Sequence, residues 1–266
     1  MRRYYTLYMV KFSKLQATGN DFVLINCFEE PLTDVPLDVL ARNICDRHFG
    51  IGADGLLLLL PSKIANFRMR IFNYDGSEAE MCGNGIRCFA LYLYEHGIWE
   101  EKNIDIETLA GVKRVKIFPE GKKVEGVRVG MGHPIFQRES IPIKGRDNPL
   151  NMSLRAGGRR WEVSALSMGN PHCVILVDDV ERFPVEKIGP EIENHPLFPH
   201  RTNVEFVEVL SRDELKVRVW ERGVGETLGC GTGACASLIV SALKGLTNRS
   251  AMIHLRGGEL SVEWQE

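Results

Sequence analysis

Cys82-Gly83-Asn84-Gly85 recurs 148 residues later as Cys230-Gly231-Thr232-Gly233. Each copy opens a helical pattern: Ile86, Phe89, Ala90 and Leu93 after the first, and Ala234, Leu238, Ile239, Ala242 and Leu243 after the second, which Gly245 ends. A second pair of matches stands upstream, where Gly19-Asn20 recurs as Gly169-Asn170 at an offset of 150. Each Gly-Asn pair precedes a strand-like run, and each Cys-Gly loop follows one. Two matches in the same order, with offsets agreeing within two residues, imply an internal duplication. The chain then divides into an N-terminal half, 1–125, carrying the Cys82 loop, and a C-terminal half, 126–266, carrying the Cys230 loop. The extreme C-terminus is left free to return to the first half.

Working outward from these loops, period-two stretches rich in β-branched and aromatic residues predict strands at 21–26, 67–72, 103–107, 112–118 and 124–129. More are expected at 173–177, 204–209, 215–220 and 261–264. The apolar run 56–60 reads as a buried strand, being far too short to span a bilayer. Besides the two helices after the loops, one is expected over 37–48, with Leu37, Leu40, Ala41, Ile44 and Cys45 on one face and Pro36 near its start.

Composition narrows the function. Lysine and arginine number 33 against 35 acidic residues, a net charge of −2, so no basic footprint for nucleic acid is present. No stretch reads as a membrane span or a secretory signal, and the cytoplasm is the expected location. Seven cysteines in 266 residues is an odd count spread thinly, unlike a disulfide framework. Their spacings are wider than the close pairs of structural zinc sites, and no metal is expected.

A cysteine immediately before a helix faces unpaired backbone N–H groups and the positive end of the helix dipole. That setting is expected to lower a thiol pKa from about 8.5 toward neutrality. The glycines that follow let the backbone approach a ligand, and their N–H groups can cradle a carboxylate. Two such loops from pseudo-twofold halves, facing each other across an interdomain cleft, would set thiols on opposite sides of one carbon. Inversion of a stereocentre by proton transfer needs that symmetry: one group removes the α-hydrogen while the other delivers a proton to the opposite face. The N-terminal helix dipoles would stabilise the developing carbanion and its carboxylate. Cys88 and Cys235, inside the helices, are expected to be core residues. A dinucleotide-binding reading of Gly83-x-Gly85 fails, because Cys88 occupies the third glycine position.

Further segments carry a family resemblance. They are Ala17-Thr18-Gly19-Asn20-Asp21-Phe22, Phe49-Gly50-Ile51-Gly52-Ala53-Asp54, Asn73-Tyr74-Asp75-Gly76-Ser77-Glu78-Ala79-Glu80-Met81-Cys82, Thr108-Leu109-Ala110-Gly111, Gly169-Asn170-Pro171-His172, Arg201-Thr202-Asn203-Val204-Glu205, Trp220-Glu221-Arg222-Gly223 and Gly229-Cys230-Gly231-Thr232-Gly233. In this order the chain resembles the diaminopimelate epimerases. The resemblance implies an α/β fold of two pseudo-symmetric domains, each a curved mixed sheet around a central helix, with the active site in the cleft. It implies cofactor-independent interconversion of L,L- and meso-diaminopimelate, in lysine and peptidoglycan precursor synthesis. Cys82 and Cys230 would be the acid–base pair, tuned by His172 and Glu221. Gly83, Asn84, Gly231 and Thr232 would hold the reacting end of the substrate. Asn20, Asn73, Asn170, Asn203, Glu221 and Arg222 would complete the pocket, the last two matching the charges of a zwitterionic distal end. Diaminopimelate is the partner implied, together with a homodimer.

Two departures stand out. Gly55 occupies a position where some members of the family place a substrate-contacting glutamine. The family also tends to continue past Trp264-Gln265-Glu266 with a strand on the first domain that contributes to dimer contacts; the segment 4–9 is expected to take up part of that edge. A proline or hydroxyproline epimerase on the same fold is the nearest rival. It would carry histidine in place of Asn84 and Asp-Arg-Ser-Pro-Cys before the second loop, whereas Leu228-Gly229 precedes Cys230 here. A thiol redox or metal-binding protein would leave the asparagines unexplained.

Overall fold

The structure is a computed structural model that describes residues 10–32, 35–121 and 123–265; the segment 4–9 lies outside the described residues. Contacts divide the chain into two units. The first gathers the residues up to Ala17 with Asp21–Gly130, and the second gathers Thr18–Asn20 with the chain from Met131 onward.

The first unit runs β1 (Ser13–Ala17), β2 (Asn20–Asn26), α1 (Leu37–Cys45), β3 (Gly55–Leu60), β4 (Phe67–Asn73), β5 (Glu78–Ala79), α2 (Gly83–Glu95), β6 (Asn103–Thr108), β7 (Gly111–Glu120) and β8 (Lys123–Val129). Its sheet has the order β1-β2-β3-β4-β6-β7-β8, with β5 paired off β4. The second unit runs β9 (Met152–Ala156), β10 (Arg159–Ser167), β11 (Pro171–Leu176), α3 (Val185–Glu193), β12 (Asn203–Ser211), β13 (Glu214–Glu221), β14 (Gly225–Thr227), α4 (Gly231–Leu243), β15 (Ser250–Leu255) and β16 (Gly258–Glu263). Its sheet reads β16-β15-β13-β12-β11-β10-β9, with β14 paired off β13.

The two sheets repeat one topology. β2 pairs parallel with β3, β3 antiparallel with β4, β4 parallel with β6, and β6 antiparallel with β7. The same hands recur in β11 with β12, β12 with β13, β13 with β15, and β15 with β16. All four parallel crossovers contain a helix, α1 and α2 in the first unit and α3 and α4 in the second, as parallel strands require. Register extends the correspondence to residues: Phe22 faces Gly55 as His172 faces Asn203, and Gly55 faces Asn73 as Asn203 faces Glu221. The pairing of Asn203 with Glu221 follows from the Val204–Trp220 step of that ladder.

Strands β2 and β3 are nearly continuous apolar runs because both of their faces are covered. Phe22, Leu24, Leu57 and Leu59 turn to the core that includes α2, while Val23, Ile25, Leu56 and Leu58 turn to the core that includes α1. In the second unit Val174 and Val207 join the core around α4, and Cys173, Ile175, Val204 and Phe206 join the core around α3. Both central helices stop in the same way. Gly97 follows α2 at φ +64° and Gly245 follows α4 at φ +74°, a left-handed turn that closes onto the carbonyls of Leu93 and Ser241.

Two helices differ from expectation. The helix anticipated over 37–48 ends at Cys45, because Asp46 turns extended (ψ 124°) and its carboxylate accepts the His48 and Phe49 N–H groups at 2.7 Å. The last carbonyls of α1 are taken instead by Ile51, Gly52 and Ala53 N–H. α3 was not foreseen. It holds Pro190 inside it and Gly189 beside it, both helix breakers by propensity. Gly189 is there for proximity: a Cβ would lie 2.7 Å from the Trp220 ring, so the glycine lets α3 settle on β13. Among the described residues no helix is long and apolar enough to cross a membrane.

Candidate active site

Both repeated cysteines occupy helix N-cap positions with extended backbone. Cys82 has φ −138° and ψ 120°, and Cys230 has φ −124° and ψ 120°. The carbonyl of each accepts the fourth residue's N–H at 2.9 Å, from Ile86 and from Ala234. Cys82 Sγ accepts the Gly85 N–H at 3.4 Å. Cys230 Sγ lies 3.3 Å from Thr232 Oγ1. The glycine three residues after each cysteine lets the helix start sit down on its sheet. A Cβ at Gly85 would stand 3.2 Å from Leu57 Cδ2, and one at Gly233 would stand 2.8 Å from Glu205 Oε1. Each sulfur therefore sits at the first turn of its helix, where the helix dipole favours negative charge.

For Cys230 the helix end is not the dominant influence. Burial pushes its thiol well up, the Glu221 and Glu205 carboxylates push the same way, and the Thr232 hydroxyl and Gly233 N–H pull down. The lowered value expected from the sequence is thus reversed for this cysteine: a residue only 8% exposed loses more by shedding water than the dipole returns. Core cysteines behave alike, burial pushing Cys88 up to about 12 and Cys45 up to about 11. None of the seven cysteines is in a disulfide, and Cys235 is half-buried against the core beneath α4.

In the second unit the polar residues form connected sets. His172 Nδ1 is 2.7 Å from Glu205 Oε1 and His172 Nε2 is 2.9 Å from Asn170 Oδ1. Asn170 Nδ2 reaches Thr232 Oγ1 at 3.5 Å. A chain of contacts thereby runs from the Cys230 sulfur through Thr232, Asn170 and His172 to Glu205. Beside it, Asn203 donates to the Pro171 carbonyl at 2.9 Å and accepts the Arg222 N–H at 2.9 Å. Glu221 Oε1 accepts from the Thr227 hydroxyl at 2.6 Å. The loop that follows is pinned from α3. Buried Glu193 accepts the Gly223 N–H at 2.8 Å, the Trp220 indole N–H at 2.7 Å and Arg201 Nη1 at 3.3 Å.

In the first unit, Asn73 closes the β4–β5 turn, its Nδ2 donating to Ser77 Oγ at 2.9 Å. Asn84 is buried in the first turn of α2 and accepts from Arg87 at 2.5 Å. The acidic motif residues Asp21 and Asp54 exchange backbone N–H bonds at 3.0 Å, and Arg47 donates to both.

The sequence model of the family described as diaminopimelate epimerase matches residues 12–137 and 164–266 of this chain. A diaminopimelate epimerase of Moorella thermoacetica is 55% identical over 256 residues, 95% of this chain and 91% of the relative. One from Methanococcus maripaludis is 46% identical over 97% of this chain and 92% of its own length. The chain belongs to the diaminopimelate epimerase family.

Solved structures at low identity share the fold alone. A probable proline racemase from Agrobacterium radiobacter superimposes with a TM-score of 0.67 at 17% identity, over 97% of this chain and 85% of that one. A hydroxyproline epimerase from Agrobacterium vitis gives 0.65 at 15% identity, over 96% and 83%.

Against the family's motif residues, the structure sets Asn73, Cys82, Gly83 and Asn84 in the first unit. It sets Asn20, Asn170, His172, Asn203, Glu221, Arg222, Cys230, Gly231 and Thr232 in the second. Asn170, His172, Cys230 and Thr232 are joined by the contact chain above. Asn203 is only 4% exposed and spends both ends of its amide on backbone, so it shapes the ground under Arg222. Arg222 itself is exposed, one N–H group resting on the His200 carbonyl at 3.3 Å. Gly55, where some family members carry glutamine, has a local reason: a Cβ there would lie 2.9 Å from the Phe72 carbonyl. Sequence reasoning passed over Glu205, Glu193 and Thr227. Glu205 had a signal, since it shares the inward phase of β12 with Asn203 and apolar Val207.

Proposed function

We propose that this chain interconverts L,L- and meso-diaminopimelate without a cofactor, for lysine and peptidoglycan precursor synthesis, with Cys82 and Cys230 exchanging the α-proton. The observation that carries the reading is the repeated N-cap cysteine: each copy of the fold brings one thiol to the start of a glycine-opened helix. The burial of Cys230 supports a resting thiol at that position. Cys82 is then the resting base. Its thiolate takes the α-hydrogen, the electron pair is left on the α-carbon, and the Cys230 S–H delivers its proton to the opposite face. Cys82 ends as thiol and Cys230 as thiolate, ready for the reverse reaction. The first-turn N–H groups at Gly83, Asn84, Gly231 and Thr232 hold the substrate carboxylate and stabilise the carbanion. His172 and Glu221 tune the thiols. Arg222 and Glu221, with Asn20, Asn73, Asn170 and Asn203, bind or shape the site for the distal zwitterion. The same reading takes the protein to be a cytoplasmic homodimer, which sedimentation equilibrium checks for the oligomer.

The deciding experiment is α-hydrogen exchange in D₂O with L,L-diaminopimelate, using wild type, Cys82→Ala and Cys230→Ala under reductant. Deuterium entering with inversion in wild type, and inversion lost in both folded variants, is the expected result. Folded wild type that exchanges proline and leaves diaminopimelate untouched would overturn the assignment.

A further inference from the structure

Glu205 is fully buried, as is its partner His172. Its Oε1 bonds the ring at 2.7 Å, while Oε2 has no hydrogen-bond partner within the protein. A buried charge on half its hydrogen bonds is expensive, and an apolar pair of similar volume is commonly as stable or more so. The first unit shows that the fold manages without it. Phe22 stands in β2 where His172 stands in β11, and Leu57 stands in β3 where Glu205 stands in β12. Both apolar residues lie in the core beneath α2, and Leu57 supports Gly85 just as Glu205 supports Gly233. Duplication thus supplies an internal control: the same place in the same topology is apolar under Cys82 and ionisable under Cys230.

The direction of the hydrogens along the chain depends on the histidine. When ionised, the Glu205 carboxylate only accepts, and its bond at Oε1 then calls for a proton on His172 Nδ1. When Nε2 carries no proton, the Asn170 amide must donate to it and turn its oxygen to Thr232, whose hydroxyl then donates away from the sulfur. When Nε2 is protonated, Asn170 Oδ1 accepts from it, Asn170 Nδ2 donates to Thr232, and the Thr232 hydrogen is freed for Cys230. The structure holds the second arrangement, with Oδ1 at Nε2 and Nδ2 at Thr232.

We propose that Glu205 is a positioning residue that acts through His172, holding the imidazole so that the Asn170–Thr232 chain can aim the Thr232 hydroxyl hydrogen at an ionised Cys230. The inference rests on the reading of Cys230 as a proton-exchanging thiol. The charges acting on Cys230 are the Glu221 and Glu205 carboxylates; His172 reaches it through Asn170 and Thr232, and the neighbouring Cys173 thiol is raised by burial and Glu205.

The sign of one shift separates this role from a bystander charge. As a nearby negative charge, Glu205 opposes the Cys230 thiolate, so Glu205→Gln acting by charge alone would ease ionisation. Acting through His172, the same change removes the support of the second proton, and ionisation becomes harder. The test is the pH dependence of Cys230 alkylation by iodoacetamide, read by peptide mass spectrometry, in wild type and Glu205→Gln, and in the same pair built on His172→Gln. We expect the Glu205→Gln midpoint to rise by about one pH unit, a ~10-fold slower reaction at a fixed pH below both midpoints, and the rise to vanish without His172. A midpoint that stays or falls in Glu205→Gln, or a rise of equal size without His172, would overturn the role. Because no substrate is involved, failure of the diaminopimelate reading would show in the exchange assay and not here. Should Glu205→Gln fail to fold, wild-type ¹⁵N spectra above the Cys230 alkylation midpoint decide: His172 protonated at both ring nitrogens supports the role, and a bare Nδ1 or Nε2 overturns it.

Discussion

Replacing His172 by Phe and Glu205 by Leu would give the second unit the pair that the first carries at Phe22 and Leu57. The size of the effect can be worked from the contacts. His172→Phe alone strips Glu205 Oε1 of its 2.7 Å partner, and Oε2 already lacks one, so a fully buried carboxylate is left uncompensated. That loss is expected to cost about 3–5 kcal/mol. Glu205→Leu alone leaves the Nδ1–H without an acceptor, at about 1–3 kcal/mol. If the changes were independent, the double variant would lose the sum. Instead, the apolar pair needs no solvation, and the double variant is expected to match wild type or exceed it by about 1–4 kcal/mol. Urea unfolding at neutral pH measures this through Trp161, Trp220 and Trp264, three of the four tryptophans, which all belong to the second unit. The m-value should hold across the series, so that midpoints report stability. A double variant as unstable as the two single variants combined would refute the reasoning.

Glu193→Ala removes the acceptor shared by Gly223, Trp220 and Arg201; with the Glu221–Gly223 loop released, KM for diaminopimelate should rise roughly 10-fold, with kcat changed less, in steady-state kinetics. A Cβ at Gly257 would stand 2.0 Å from the Thr18 carbonyl oxygen, so Gly257→Ala should destabilise by about 1–3 kcal/mol in urea. Gly126→Ala, with nothing within 4 Å, is the matched control and should stay within about 0.5 kcal/mol. Burial raises the Asp21 carboxyl, but hydrogen bonds from Arg47 and Lys14 outweigh it and hold the group well below the usual range. A depressed carboxyl stabilises the fold above its unfolded value and loses that contribution as pH falls. The advantage of wild type over Asp21→Asn should therefore be full above about pH 5 and shrink below about pH 4, as thermal melts across that range would show.

What could be read from the sequence was whatever leaves a periodic trace. Strands such as β4, β6, β12 and β13 announce themselves by alternation, and α2 and α4 by apolar spacing behind a Cys-Gly loop. α3 escaped because its breakers have a tertiary cause: Gly189 makes room for Trp220, and no local pattern encodes that. The end of α1 was misplaced because a side chain, Asp46, captures the N–H groups that would have extended it. The repeated cysteines were legible as a motif; the charge state of Cys230 was not, because burial depends on what packs around it. Glu205 sat in plain sight within a matched segment, yet its meaning depends on a histidine 33 residues away.

The contrast between the Phe22–Leu57 floor and the His172–Glu205 floor has a bearing on turnover. On the two-thiol mechanism proposed above, the protein has two unliganded forms, differing only in which sulfur holds the shared proton. In a perfectly symmetric molecule those forms would be equal in energy, and each stereoisomer would meet a competent half of the population. With unlike floors they are unequal. Each turnover leaves the protein in the form that the other stereoisomer needs, so both directions require proton exchange of the free protein, and that exchange runs faster toward the more stable form. At high substrate that exchange limits most the direction that must regenerate the less stable form. The overall equilibrium, which belongs to the substrates, is untouched.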